Sequence, residues 1–156
     1  MERDELIVIG FAEFVDFPKW GIVGLRGKID TGAKSSALHV SNIQELGSGR
    51  VGFDVRLHRR KLDRTVHVEA KILRRGRVRP SSGDVQSRLF VSATLRIGSV
   101  EREIELSLVD RENMIFRMLV GRTAIGHGFL VDPTRRYVLT RRRKKRSTKR
   151  RAPSSA

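Results

Sequence analysis

No cysteine occurs in this 156-residue chain. Disulfide staples and thiolate chemistry are thereby excluded, and a reducing cytoplasm is the natural setting. Aromatic rings are scarce, with one Trp, one Tyr and seven Phe, so few side chains are available to stack on nucleic-acid bases. Long apolar runs are missing as well, and the N-terminus opens Met1-Glu2-Arg3-Asp4-Glu5. Neither a transmembrane helix nor a signal peptide is expected, and no membrane partner. The four histidines, His39, His58, His67 and His127, form no His-Glu-x-x-His and no close i, i+4 pair. His67 and Glu69 would share a strand face, but two such residues are ordinarily surface neighbours, and the ligand count argues against a catalytic metal. No glycine loop able to cradle phosphate is present, and no cofactor is expected.

What the chain has in excess is positive charge. Lys and Arg number 33 against 17 Asp and Glu, a formal net charge of +16. Nine of the eleven residues from Arg141 to Arg151 are basic; without them 24 basic side chains face 17 acidic ones, which leaves the body at +7. A body of residues 1–140 with a disordered basic tail, 141–156, is the expected organisation, because like charges repel and bury no core. Arg141, Arg142, Arg143, Lys144, Lys145 and Arg146 are the candidate nucleic-acid contacts. Meeting phosphates, they would release counterions and tether the protein to RNA or a ribosome. The alternative is a solvated tail that only aids solubility.

The body reads as β structure. Leu6 to Gly10 forms a short apolar run, Glu13 to Phe17 alternates up to Pro18, and Ile22 to Ile29 makes a third strand after the Trp20-Gly21 turn. Val51 to Leu57 and Thr65 to Leu73 alternate as half-buried antiparallel strands. The stretch from Arg74 to Arg79 is strongly basic and ends at the turn signal Pro80-Ser81-Ser82-Gly83. Arg88 to Ile97 and Arg102 to Val109 flank Gly98-Ser99 as a hairpin, and Tyr137 to Thr140 is expected to be a last strand. Loops are expected at Ser41-Asn42 and at Gly47-Ser48-Gly49, and short helical turns at Ser36 to Val40 and Thr123 to Ile125. Many short strands at regular turn spacing indicate an all-β barrel.

The third strand runs into Asp30-Thr31-Gly32-Ala33. A strand ending in Asp-Thr-Gly places a carboxylate on a tight turn, the arrangement in which two carboxylates can share a proton and activate a water. Glycine permits close approach of a second backbone, and the threonine hydroxyl can brace the turn. The same three residues also make an ordinary turn. Arg79, Arg88, Arg111 and Arg122 are candidates for an anion-binding surface, since guanidinium groups pair bidentately with carboxylates. Otherwise they form a solvated face, with Arg111 pairing locally to Asp110 or Glu112 and Arg122 serving structure.

Four ordered segments carry a resemblance. They are Lys28-Ile-Asp-Thr-Gly-Ala-Lys-Ser-Ser-Ala-Leu-His39, Val78-Arg-Pro-Ser-Ser-Gly83 with Arg88, Leu108-Val-Asp-Arg-Glu-Asn-Met114, and Met118-Leu-Val-Gly-Arg122 with Phe129-Leu-Val-Asp-Pro133. Together they resemble the bacterial retropepsin-like aspartic peptidases, often labelled ATP-dependent zinc proteases. That family includes the peptidase paired with the ribosomal-modification glutamate ligase of the ATP-grasp class. The resemblance implies a retropepsin-like closed β-barrel with one or two short helices. It makes Asp30 the catalytic aspartate on the turn Thr31-Gly32, and Gly121 a support behind it. Ala33 would contact substrate, and Ser82 and Gly83 would lie in a flap flanked by Arg79 and Arg88. Ser35 stands where the family usually has threonine, which keeps the hydroxyl.

One Asp-Thr-Gly in a one-domain body supplies one aspartate, so the enzyme is expected to be a homodimer with Asp30 of each subunit meeting on the two-fold axis. The resemblance further implies an acidic peptide or protein substrate, with removal of glutamates from a ribosomal protein as the specific case. A non-catalytic RNA- or ribosome-binding module on the same body is the competing expectation, motivated by the net charge.

Overall fold

The computed structural model of the chain describes residues 5–58, 64–79, 83–110 and 115–141. Among these residues ten strands dominate: β1 Ile7–Gly10, β2 Ala12–Phe17, β3 Ile22–Ile29, β4 Ser36–Gly47, β5 Arg50–Arg56, β6 Thr65–Val78, β7 Gln86–Ile97, β8 Val100–Asp110, β9 Met118–Val120 and β10 Phe129–Asp132. The helical pieces are a 3-10 turn, Pro18–Trp20, and α1, Arg122–Ile125, which contains the expected turn at Thr123 to Ile125. β1 and β10 pair in parallel as a two-stranded sheet. The other eight run β2-β3-β9-β4-β5-β6-β7-β8, with further pairings β2–β7 and β4–β8. The ladders from β4 through β5, β6, β7 and β8 therefore return to β4.

Period-two alternation explains β7: Val91, Ala93, Leu95 and Ile97 are buried while Ser92, Thr94 and Arg96 are partly exposed. The β7–β8 register carries Ile97 opposite Val100 across the Gly98-Ser99 turn, as alternation predicts. Val51, Phe53 and Val55 of β5 are fully buried. Phe53 meets the edge of Trp20, whose indole in turn stacks on Phe17. Removing each such side chain from water stabilises the fold by about 1.5–3 kcal/mol.

Three sequence expectations are corrected. Ser36 to Val40 is not a helical turn: all five residues are buried in β4, which pairs in parallel with β8 and antiparallel with β9. A strand enclosed this way loses the alternation that betrays strands, so its apolar run mimics a buried helix. Ser41-Asn42 is a register shift within β4, with Asn42 at φ 52°, and not a loop. Tyr137 to Thr140 is not a strand: the Tyr137 N–H donates to the Ala12 carbonyl, and those of Val138, Leu139 and Thr140 turn onto a carboxylate.

That carboxylate is Glu13, fully buried on β2. It accepts hydrogen bonds from the N–H groups of Gly10 (2.7 Å), Val138 (2.9 Å), Leu139 (3.2 Å) and Thr140 (2.8 Å), and from the Thr140 hydroxyl at 2.6 Å. The Thr140 hydroxyl oxygen also accepts the Phe14 N–H at 2.8 Å. Nearby, the Phe14 and Tyr137 rings stack at 4.4 Å between centroids. A strand at 137–140 would leave this buried carboxylate with the Gly10 N–H alone among these donors. Elsewhere, His67 of β6 sits opposite Asp54 of β5. Its Nδ1 lies 2.7 Å from Asp54 and its Nε2 3.3 Å from Glu69, while Asn42 donates to the other Asp54 oxygen. The hydrogen bond to Asp54, then that to Glu69, raises the imidazole pKa.

Two measurements check this description. Glu13→Gln replaces a charged acceptor by an amide whose N–H2 faces backbone donors; unfolding in urea should show a loss of about 3 kcal/mol, and an unchanged midpoint would refute the account. His67 should titrate above the ordinary histidine value in an NMR pH series, its ion pairs being present at low pH and lost as pH rises through the raised pKa. Asp54→Asn should bring it back down.

Candidate active site

Asp30 follows β3 directly, and its position is set by β9. The short strand lies between β3 and β4: Ile29 pairs in parallel with Val120, and Ala37 and Leu38 pair antiparallel with Leu119 and Met118. The Asp30 N–H donates to the Val120 carbonyl at 2.9 Å. Past that point the chain turns back, with the Ala33 N–H donating to the Asp30 carbonyl at 3.2 Å and the Gly32 N–H donating to Asp30 Oδ1 at 3.0 Å. The carboxylate is thus oriented by its own turn, while Oδ2 receives no hydrogen bond from the described residues.

α1 braces the turn from behind. The N–H groups of Arg122 and Thr123 donate to the carbonyls of Ala33 and Lys34 at 2.8 and 3.0 Å, and the Arg122 guanidinium reaches the Thr31 carbonyl at 3.0 Å. Gly121 donates its N–H to the buried Ser36 hydroxyl at 2.9 Å. Any side chain at Gly121 would collide with the Ser35 carbonyl, so the approach of the two segments requires glycine. Arg122 thus has the structural role foreseen as the alternative to anion binding.

Asp30, Gly32, Ala33, Lys34 and Ser35 form one wall of a cleft of about 990 Å³. β6 and β7, paired from Arg74 opposite Phe90 out to Val78 opposite Gln86, supply much of the rest. Five cationic side chains line the cleft, Lys34, Arg74, Arg77, Arg79 and Arg88, against the carboxylates of Asp30, Glu103 and Glu105. Arg88 donates to Gln86 at 2.9 Å and to the Ser107 hydroxyl at 3.4 Å. Glu103 is held by the hydroxyls of Ser92 (2.6 Å) and Thr94 (2.8 Å), which lower its pKa. Exposed Arg77 and Arg79 form no ion pair with the described residues.

Asp30, Gly32, Ala33, Arg79 and Arg88 of the sequence-predicted site therefore share this cleft. Thr31 contributes its carbonyl to the brace, and Gly83 is exposed without belonging to the cleft wall. Ser82, Arg111, Arg142, Arg143, Lys144, Lys145 and Arg146 lie outside the described residues; Arg141 is described and exposed. Sequence reasoning missed Lys34, Arg74, Arg77, Glu103, Glu105 and the Ser36 brace. The basic string Arg74 to Arg79 was a signal for two of them, but a register shift between Ile72 and Arg74 hides which charges face the cleft. Among the described residues no three His, Asp or Glu side chains are grouped to hold a metal ion.

The chain is similar to several known proteins. Proteins named probable alpha-L-glutamate ligase are 30% identical over 139 residues in Shewanella halifaxensis and 34% identical over 131 residues in Desulfotalea psychrophila, covering 87% and 81% of this chain. The chain spans only 30% and 28% of the length of those relatives. A crystal structure of a Legionella pneumophila protein of unknown function superposes with a TM-score of 0.70 at 25% identity, covering 86% of this chain and 98% of that one. Residues 8–142 match the family described as retropepsin-like aspartic endopeptidase RimB. With its aspartate braced by a glycine-bearing loop and the match covering most of its length, the chain belongs to the RimB-like family of retropepsin-like aspartic endopeptidases.

Proposed function

We propose that the protein is an aspartic peptidase that acts as a homodimer on acidic peptide chains. The observation that carries this reading is Asp30 itself, fixed on a doubly braced turn at the wall of an open cleft with a surplus of cations. One chain offers one such carboxylate, so a second copy has to supply the other. In this reading the ring of ladders from β4 to β8 is the closed barrel of the fold, and the β6–β7 hairpin is its flap. One Asp30, ionised, takes a proton from the water between the pair; the other, protonated, donates to the scissile carbonyl oxygen as the water oxygen adds to the carbon. Return of a proton to the amide nitrogen then lets the C–N bond break, leaving a carboxylic acid and an amine.

The relatives' names point to the substrate. They are called glutamate ligases and contain a region like this chain as a minor part of their length. A peptidase that hydrolyses glutamyl linkages, trimming glutamates from a ribosomal protein, would reverse the addition those names describe. The cationic cleft suits a polyanionic chain electrostatically, and the basic tail would add a ribosome or RNA tether. Docking on RNA without hydrolysis is the second reading, favoured by the exposure of Arg77 and Arg79.

Asp30→Asn should leave a folded dimer, checked by circular dichroism and sedimentation, with hydrolysis of oligoglutamate-tagged peptides reduced by roughly three orders of magnitude or more. Retained hydrolysis by that variant sinks the assignment, and tight RNA binding without hydrolysis by the parent protein favours the second reading. Cleavage of the acidic peptide by the parent protein should weaken several-fold between low and 0.5 M salt. A rate indifferent to salt and to substrate charge points to a different substrate.

A further inference from the structure

One arginine of the cleft is built in. Arg74 lies with its guanidinium over the ring of Phe90, 3.8 Å from the centroid, and Phe90 is 2% exposed although it sits on the cleft side of β7. The plane is fixed at one edge by Glu105, whose Oε1 accepts from Nε at 3.1 Å and from Nη2 at 2.9 Å. Room for this arrangement comes from Gly76, where a Cβ would stand 2.5 Å from Arg74 Nη1 and 2.7 Å from the Phe90 ring. Backbone conformation does not demand glycine there; the space does. The bonds to Glu105 use two of the five guanidinium N–H groups, and the other three have no partner among the described residues.

The geometry points to Arg74 as a specificity residue: its remaining guanidinium edge, pre-oriented by Phe90, Glu105 and the Gly76 notch, binds a carboxylate side chain of the substrate. This rests on the acidic-peptide reading above. A stacked, singly anchored fork loses little freedom when it accepts a second carboxylate, and it recognises the planar oxygen pair of a carboxylate, which a neutral amide does not reproduce. Glu105 is its resting counter-ion, so the charge is not stranded when the cleft is empty. Arg75, the next residue, shows the contrast. Its guanidinium pairs with Glu45, and it takes no part in the cleft wall.

Binding separates this proposal from the catalytic one. Fluorescein-labelled tetraglutamate and tetraglutamine are titrated by anisotropy into the full-length Asp30→Asn protein, alone and combined with Arg74→Ala, Arg74→Lys, Gly76→Ala or Arg75→Ala. Loss of Arg74 should weaken tetraglutamate binding about tenfold or more and leave tetraglutamine within twofold. Lysine, which restores the charge without the fork, should recover only a minor part, and Arg75→Ala should change affinity less than twofold. Gly76→Ala keeps the arginine yet evicts it from its seat, and should bind like Arg74→Ala, with a lowered melting temperature because the same Cβ presses on the buried Phe90 ring. Equal losses from Arg74→Ala and Arg75→Ala would reduce the effect to overall charge and overturn the proposal, as would wild-type-like discrimination in Arg74→Ala. Should the parent protein hydrolyse neither peptide while Arg74 still selects glutamate over glutamine, the peptidase reading falls and the carboxylate site stands.

Discussion

The position of Asp30 depends on a three-residue strand hydrogen-bonded on both edges. β9 fills the gap between β3 and β4, and from its end Gly121 turns so close to Ser35 that no side chain fits. Several constraints on the Asp30 turn gather around that contact. The Ser36 hydroxyl receives the Gly121 N–H, the first residues of α1 take up the Ala33 and Lys34 carbonyls, and the Thr31 carbonyl is tied to Arg122. A carboxylate held at the wall of a cleft needs a backbone that does not drift, and this tie supplies it from within the chain.

Charge is distributed with the same selectivity. Several basic side chains on the sheet are matched one to one, Arg75 with Glu45, Arg96 with Asp16 and Arg135 with Asp132. Such exposed pairs contribute little to stability, but they neutralise the surface locally. At the cleft the matching lapses: Arg77 and Arg79 pair with none of the described residues, and Arg74 keeps an edge in reserve. A protein with this net charge therefore does not present a uniform positive field, and part of its unmatched charge lines the cleft that holds Asp30.

What the sequence disclosed was local. Alternation located β5, β7 and β8, and Asp-Thr-Gly marked the turn because its residue types do their chemistry within four positions of one another. What escaped depends on partners far along the chain. Ser36 to Val40 lost its strand signature when two neighbours enclosed it, and Tyr137 to Thr140 had a strand composition but met the Glu13 carboxylate instead of a strand edge. Arg74 and Arg75 are indistinguishable as letters. Strand alternation sends them to opposite faces, and the register shift just before Arg74 sets which one lies over Phe90 in the cleft and which pairs with Glu45 outside it.

The buried carboxylate of Glu13 has a consequence for the order in which the chain can be completed. Its donors lie up to 127 positions downstream, and β1 can pair only once β10 exists. During synthesis the first strands therefore leave the ribosome with a charged group awaiting its ligands and an apolar edge awaiting its cover. The β5–β6 and β7–β8 hairpins close early, since their contacts are near neighbours in sequence. The two ends join last, so the nascent body stays open until the segment through Thr140 has emerged.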